Sequence, residues 1–121
     1  MNTLFTSTIV SIGEMVDDFL KENTLILFNE DAPEELHDIA VLHTKSEEAG
    51  RIEPGDIFLL GDLPLKVTSV GEKANETLLT IGHCTVKADG SGEPQLPGTI
   101  HVEDAVLPSL EIGVKVAFIR P

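Results

Sequence analysis

The sequence predicts an all-β fold: a small closed or partly open β-barrel of about seven to eight strands with one or two short helices. Three observations predict it. The chain is 41% hydrophobic yet has no Trp, no Tyr and only five Phe, so its core must be built from Ile, Val and Leu, and β-branched residues favour strands. Short apolar runs recur along the chain, each bounded by Gly, Pro, Asn or Asp. Three of them, "PGDIFLL" at Pro54, "PGTIHVE" at Pro97 and "IGVKVAF" at Ile112, place a glycine directly before an extended run, as turn-to-strand junctions do. At 121 residues a single domain, residues 1–121, is expected, able to remove roughly two-thirds of its unfolded surface from water.

Taken in order, "TLFTSTIVSI" (Thr3 to Ile12) alternates and reads as a first strand. Met15, Val16, Phe19 and Leu20 then fall at helical spacing, which predicts a short amphipathic helix. "TLILF" (Thr24 to Phe28) is a strand. In "NEDAPEELHD", Asp31 is an expected N-cap, Pro33 sits in the first turn and acids follow, so one or two helical turns are expected there. "IAVLHT" is the next strand, and its continuous apolar run implies cover on both faces. "LPLKVTSVG" and "IGHCTVKAD" are two more strands, and Asp89 to Gly98 is a Gly/Pro-rich loop.

Composition excludes several functional classes. A single cysteine, Cys84, rules out an internal disulfide and any multi-cysteine zinc site, and it agrees with a reducing compartment. The first residues lack the basic and small-residue features of a signal peptide, and no apolar run approaches the ~20 residues needed to span a bilayer. A cytoplasmic protein is expected. Twenty-one acidic against eight basic residues give a formal charge of −13, which repels nucleic acid and anionic membranes and attracts a cationic protein partner.

The candidate chemistry rests on histidine. His37 ends the "PEELHD" turn, where a structural role suffices. His43, His83 and His101 each lie in an expected strand. Imidazole is a common metal ligand, but no H-x-H pair, H-E-x-x-H or cysteine cluster accompanies them, so no metal site is assigned. Nor is there a G-x-S-x-G elbow or a Walker loop. Cys84 adjoins His83, but neighbours on a strand point to opposite faces, and Cys84 reads as a small buried residue.

Histidine can itself be a nucleophile, since a neutral imidazole can accept a phosphoryl group and later release it. That chemistry needs one free ring nitrogen, a partner orienting the other, and donors or cations for the phosphoryl oxygens. His43 ends an apolar run, with Lys45 two positions on and Arg51 beyond the loop. A nearby cation favours the neutral, attacking imidazole, whereas Glu47 and Glu48 in the same loop oppose an incoming anion. On residues alone His43 is a candidate nucleophile, and strand histidines with satisfied nitrogens remain an alternative.

The run "FNEDAPEELHDIAVLHTKSEEAGRIEPGDIFLLGD", followed by "VTSVG", "IGHCTVKADG" and "LPGTIHV", resembles the glucitol/sorbitol-specific IIA component of the bacterial sugar phosphotransferase system. The resemblance runs almost end to end. It implies an all-β barrel in the cytoplasm, needing no cofactor. It also implies a phosphotransferase component that takes a phosphoryl group from the carrier HPr and passes it to the IIB domain, and so to the IIB/IIC membrane components, of the glucitol/sorbitol transporter. The family's phosphorylated histidine falls on His43. The resemblance does not say what His83 and His101 do: they fall inside the second motif, where one of them can bond the phosphoryl group or hold the His43 ring, with strand bracing an equal alternative for each. An acidic chain must shelter the added charge locally, and Lys45, Arg51 and a second histidine are the candidates for that. Two further alternatives stay open: a regulatory binding module that keeps the barrel without phosphorylation, and a metal-binding barrel using the three histidines.

Overall fold

The computed structural model describes residues 2–48 and 50–121. Its strands are β1 (Asn2–Ile12), β2 (Thr24–Asn29), β3 (Val41–His43), β4 (Ile57–Leu60), β5 (Leu63–Val70), β6 (Cys84–Lys87), β7 (Thr99–Val102) and β8 (Lys115–Arg120). They close into a barrel in the order β1-β3-β2-β6-β7-β5-β4-β8. Closure leaves no free sheet edge for a second chain to pair with. Most pairs are antiparallel, but β2 runs parallel to β3 and β6 parallel to β7, so the barrel is mixed. Two helices, α1 (Val16–Lys21) and α2 (Ala74–Ile81), and a single 3-10 turn at Glu34–Leu36 complete the elements.

The barrel is filled by the alternate residues of its strands, as period-two geometry dictates. Leu65 and Val67 of β5 and Val116 and Phe118 of β8 are buried while their neighbours are more exposed. Phe58 and Phe118 meet with ring centroids 4.8 Å apart at the centre of the apolar cluster, which also takes Val16 and Leu20 from α1 and Ala74 and Leu78 from α2. A smaller cluster of Phe28, Ala40 and Leu42 lies on the other face of β2 and β3, with Ala32 and Leu36 of the intervening connection packed on it. The cover on both faces expected for "IAVLHT" is therefore present. The strand itself is shorter, because Ile39 belongs to the turn and pairing ends at His43.

Two local expectations are corrected. Asp31 does not cap a helix: the 3-10 turn begins after Pro33 with no side-chain cap, and the Asp31 carboxylate is drawn instead to Lys45 Nζ, 2.9 Å away. The segment before β6 is not extended from Ile81. Ala74 and Leu78, one helical repeat apart, are buried on α2, and Gly82 ends that helix at φ 67°, the left-handed conformation that favours glycine. His83 therefore precedes the strand rather than lying in it.

A guanidinium clamp ties the last strand to the turn before β4. Arg120 donates from Nε to Asp56 Oδ1 at 2.9 Å and from Nη2 to Oδ2 at 3.0 Å, and Nη2 also reaches the Arg51 carbonyl at 2.9 Å. Burial pushes the Asp56 carboxyl up, but the bonds from Arg120 and the Glu53 N–H outweigh it and hold the group below its ordinary 3.8. A lowered folded-state value stabilises the fold above the unfolded value, and that stability is lost as pH falls through the folded one. Asp56→Asn is therefore expected to lower the urea midpoint at neutral pH. The gap to the unaltered protein should close as pH drops below 3.8; a gap independent of pH would rule out this linkage.

Candidate functional site

His43 sits at the end of β3 between two neighbours in register, Ile9 of β1 and Asn29 of β2. Strand alternation turns Leu42 outward to the smaller cluster and His43 to the same side as Val41. There its ring meets Phe5 edge-on, with centroids 5.4 Å apart. The backbone on either side is fastened, with the Glu30 N–H donating to the His43 carbonyl at 2.8 Å and the Thr44 N–H to Thr8 at 3.0 Å. The strand holds the imidazole in one place.

Its tip is not exposed, contrary to what a relay histidine at a strand end leads one to expect: His43 is 0% accessible. Nδ1 lies 2.8 Å from the Thr44 carbonyl oxygen and Nε2 2.9 Å from that of Gly82. A carbonyl only accepts, and a neutral imidazole carries a single N–H, so the neutral ring can satisfy one of these contacts and not both. The Thr44 contact is made within the same stretch of pinned backbone. The Gly82 contact crosses from the end of α2, where Gly82 N–H donates to Leu78 and His83 N–H to Thr77, and the Thr77 hydroxyl donates to the His83 carbonyl at 2.7 Å. The end of α2 is thus the lid of the site.

Above this lid a small hollow of about 140 Å³ opens to solvent, lined by Phe5, Asn29, Lys45, Ser46, Glu48 and the α2 residues 78–80. A second hollow of about 340 Å³ adjoins it and shares Phe5, Glu48, Leu78 and Leu79, adding Arg51. Lys45 lines the first hollow and Arg51 the second, so the two cations do not share one hollow. The ammonium of Lys45 is engaged by Asp31, whose bond holds the Lys45 pKa above and the Asp31 pKa below their ordinary values. Both side chains are more than half exposed, so the pair is readily exchanged. Ser46 Oγ accepts from the Thr6 and Glu48 N–H groups, which seats the loop against β1.

His83 and His101 are not brought to this point. His83 stacks on Phe28 with centroids 4.1 Å apart and an interplanar angle of 14°, and its Nδ1 donates to the Leu27 carbonyl at 3.1 Å. Phe28 lies on the face of β2 opposite to Asn29, so His83 is back to back with His43. His101, on β7, is three strands round the barrel, fully buried, with Nδ1 2.8 Å from Asp89 Oδ1. Burial pushes the Asp89 carboxyl up, and the bonds from His101 and the Ser91 N–H together with the attraction of His101 outweigh it, so the group lies below its ordinary value. Each is tied to the framework, His83 through Phe28 and Leu27 and His101 through Asp89. Among the described residues no three His, Cys, Asp or Glu side chains group around a common point for a metal ion. Burial pushes the Cys84 thiol up to about 12, which keeps it an inert core residue. His37 Nε2 donates to the Ala32 carbonyl at 2.8 Å.

Asn29 and Gly82, which no sequence motif singled out, are the two residues that complete the site. A side chain at Gly82 would run into the Asn29 carboxamide. The only cue in the chain was an amide where the alternation of "TLILFN" asks for an apolar residue.

Known proteins resemble the chain over almost its whole length. A family model described as "PTS system glucitol/sorbitol-specific IIA component" matches residues 4–117. The chain is 36% identical over 118 residues to the "PTS system glucitol/sorbitol-specific EIIA component" of Shigella flexneri, covering 98% of this chain and 96% of the relative. The protein of the same description from Escherichia coli (strain K12) matches to the same extent. A crystal structure of a PTS system IIA component from Enterococcus faecalis V583 superimposes with a TM-score of 0.83 at 27% identity, over 94% of this chain and 98% of that one.

Two outcomes follow from the geometry. Diethyl pyrocarbonate should acylate His83 well before His43 or His101 in the folded protein, as read by peptide mass spectrometry; equal rates for His43 and His83 would contradict the closed lid. Gly82→Ala should destabilise by at least about 1–2 kcal/mol, the cost of a left-handed non-glycine residue, with any clash against Asn29 added. An unchanged urea midpoint would show that the end of α2 is not so constrained.

Proposed function

The chain belongs to the glucitol/sorbitol-specific IIA component family of the phosphotransferase system, and from that membership we propose that His43 is the phosphoacceptor of a relay. The observation that carries this reading is the asymmetry of the ring's two contacts. Nδ1 is bound to the carbonyl of the next residue, on backbone the barrel holds still, while Nε2 faces one carbonyl at the end of a short helix. Donation from Nδ1 to Thr44 fixes the tautomer and leaves the Nε2 lone pair as the nucleophile.

In the transfer the end of α2 withdraws the Gly82 carbonyl and a phosphorylated histidine of HPr docks over the hollow. The Nε2 lone pair attacks phosphorus, a new N–P bond forms, and the N–P bond of the donor breaks with its electron pair returning to the donor ring. The Nδ1 proton stays on His43 and keeps its bond to Thr44, so no proton need be taken up or lost. Delivery to the IIB domain of the membrane transporter is the same exchange in reverse roles, and the relay runs in the cytoplasm. Positioning and charge stabilisation carry such a step. Lys45 can leave Asp31 for the phosphoryl oxygens at little cost, because a solvent-exposed ion pair is weak and screened. Arg51 stands one hollow further off, where it fits a partner's acidic group as well as the phosphoryl group.

A second reading is favoured by the complete burial of His43: a binding module of the same family that keeps the barrel and no longer turns over. One experiment separates the two. After incubation with phosphoenolpyruvate, enzyme I and HPr, intact mass should show a single acid-labile phosphoryl adduct on the unaltered chain, absent from His43→Ala. His43→Gln serves beside it, since alanine leaves a hole in a packed wall, and the circular dichroism of both should match the unaltered protein. An adduct that persists in both variants moves the site to His83 or His101. A folded chain that takes no phosphoryl group from active HPr is the binding module.

A further inference from the structure

Asn29 is a mostly buried amide beside the imidazole of His43. It ends β2 with its side chain on the core-facing side, next to His43 in the parallel register. It is only 7% exposed. Its carboxamide forms no hydrogen bond to any described residue, and its polar atoms are not sealed from solvent. The group stands against Gly82, whose carbonyl lies 2.9 Å from His43 Nε2, and it lines the hollow beside the C-terminal turn of α2. With no protein partner holding it, a turn about its last bond exchanges Oδ1 for Nδ2.

The surroundings make a donor necessary there. α2 points its C-terminal end, the negative end of a helix, at the hollow, and Glu48 stands on the rim. A phosphoryl group on Nε2 adds about −1.5 to −2 charges, by analogy with other phospho-residues. Lys45 approaches only from the outside. We propose that Asn29 is a catalytic residue of the relay: its Nδ2 donates to a phosphoryl oxygen on His43 as the Gly82 carbonyl withdraws, taking the place that carbonyl leaves. The assignment rests on His43 being the phosphoacceptor. A neutral donor also suits a carrier, because it stabilises charge as it develops without holding the finished group as a cation would.

The test uses the full chain with two phosphoryl donors: the phosphoenolpyruvate, enzyme I and HPr cascade, and potassium phosphoramidate, which needs no docking face. Asn29→Ala and the isosteric Asn29→Asp are compared with the unaltered protein for adduct rate by intact mass, phosphorus-31 shift and half-life of the phosphohistidine. Asn29→Ala should accept on the order of 10²-fold more slowly from both donors, the usual loss of one oxyanion donor, with a moved phosphorus shift. Asn29→Asp should be slower still. Unchanged rates and shift, or a lowered unfolding midpoint as the sole effect, would make Asn29 structural and overturn the proposal. A defect with HPr but none with phosphoramidate would put Asn29 in docking and overturn it too. An unaltered chain that gives no adduct on His43 with either donor removes the His43 reading itself; an adduct on His43 with unaffected Asn29 variants removes this proposal alone.

Discussion

Everything in this molecule hangs on β1 finding two partners at once. Its first half pairs with β8 and its second half with β3, with a shift of register in each ladder, between Thr3 and Phe5 and between Ile9 and Ser11. Those two irregularities let one strand turn from one side of the barrel to the other. They also set Phe5 over the imidazole of His43 and Ile9 beside it. The seam that closes the barrel is thus the wall that holds His43, the proposed phosphoacceptor. A packed wall is what a phosphoryl acceptor needs beneath it, because reacting atoms must be held to within fractions of an ångström.

From that seam a line of polar ties runs to the lid. Arg120, on the last strand, grips Asp56 and the Arg51 carbonyl. The Ile52 N–H and carbonyl are then held by the side chain of Asn75, at 2.8 Å and 3.0 Å. Asn75 lies in the first turn of α2, whose far end supplies the Gly82 carbonyl. The helix is therefore anchored at its start by Asn75 and by the buried Ala74 and Leu78, and its end meets His43 through the one Gly82 carbonyl. Its exposed Leu79 and Ile81, 63% and 48% accessible, lie next to that loosely held end. A docking protein that covers them can pull on the lid while it approaches.

The strands were legible because alternation survives in the chain: each strand of the barrel overlaps a run the pattern marks as extended. α2 was not, since Leu78, Leu79 and Ile81 read equally as the start of the next strand and only the Ala74–Leu78 repeat and Gly82 argue otherwise. The place of His43 at a strand end was legible, and its burial was not. The group that covers it comes from Gly82, 39 residues away in sequence, and local spacing carries no trace of such a contact. For the same reason His83 and His101 looked like neighbours of His43. A motif brings residues together on paper, while the order of strands in the barrel sends them to different faces. Asn29 shows the opposite case, a single amide that means nothing until Gly82 is placed against it.

The pairing of Asn2 with Arg120 has a further consequence, for the way the chain reaches its native state. The first strand cannot be completed until the last is available, and the two parallel pairs likewise join segments that are not adjacent hairpins. Folding is dominated by distant contacts, which places such a barrel among the slower small domains, in the range of milliseconds to seconds. Through that interval β-branched edges stand unpaired and prone to stick to one another. The charge of −13 then acts as mutual repulsion between unfinished chains, keeping them apart until the seam shuts.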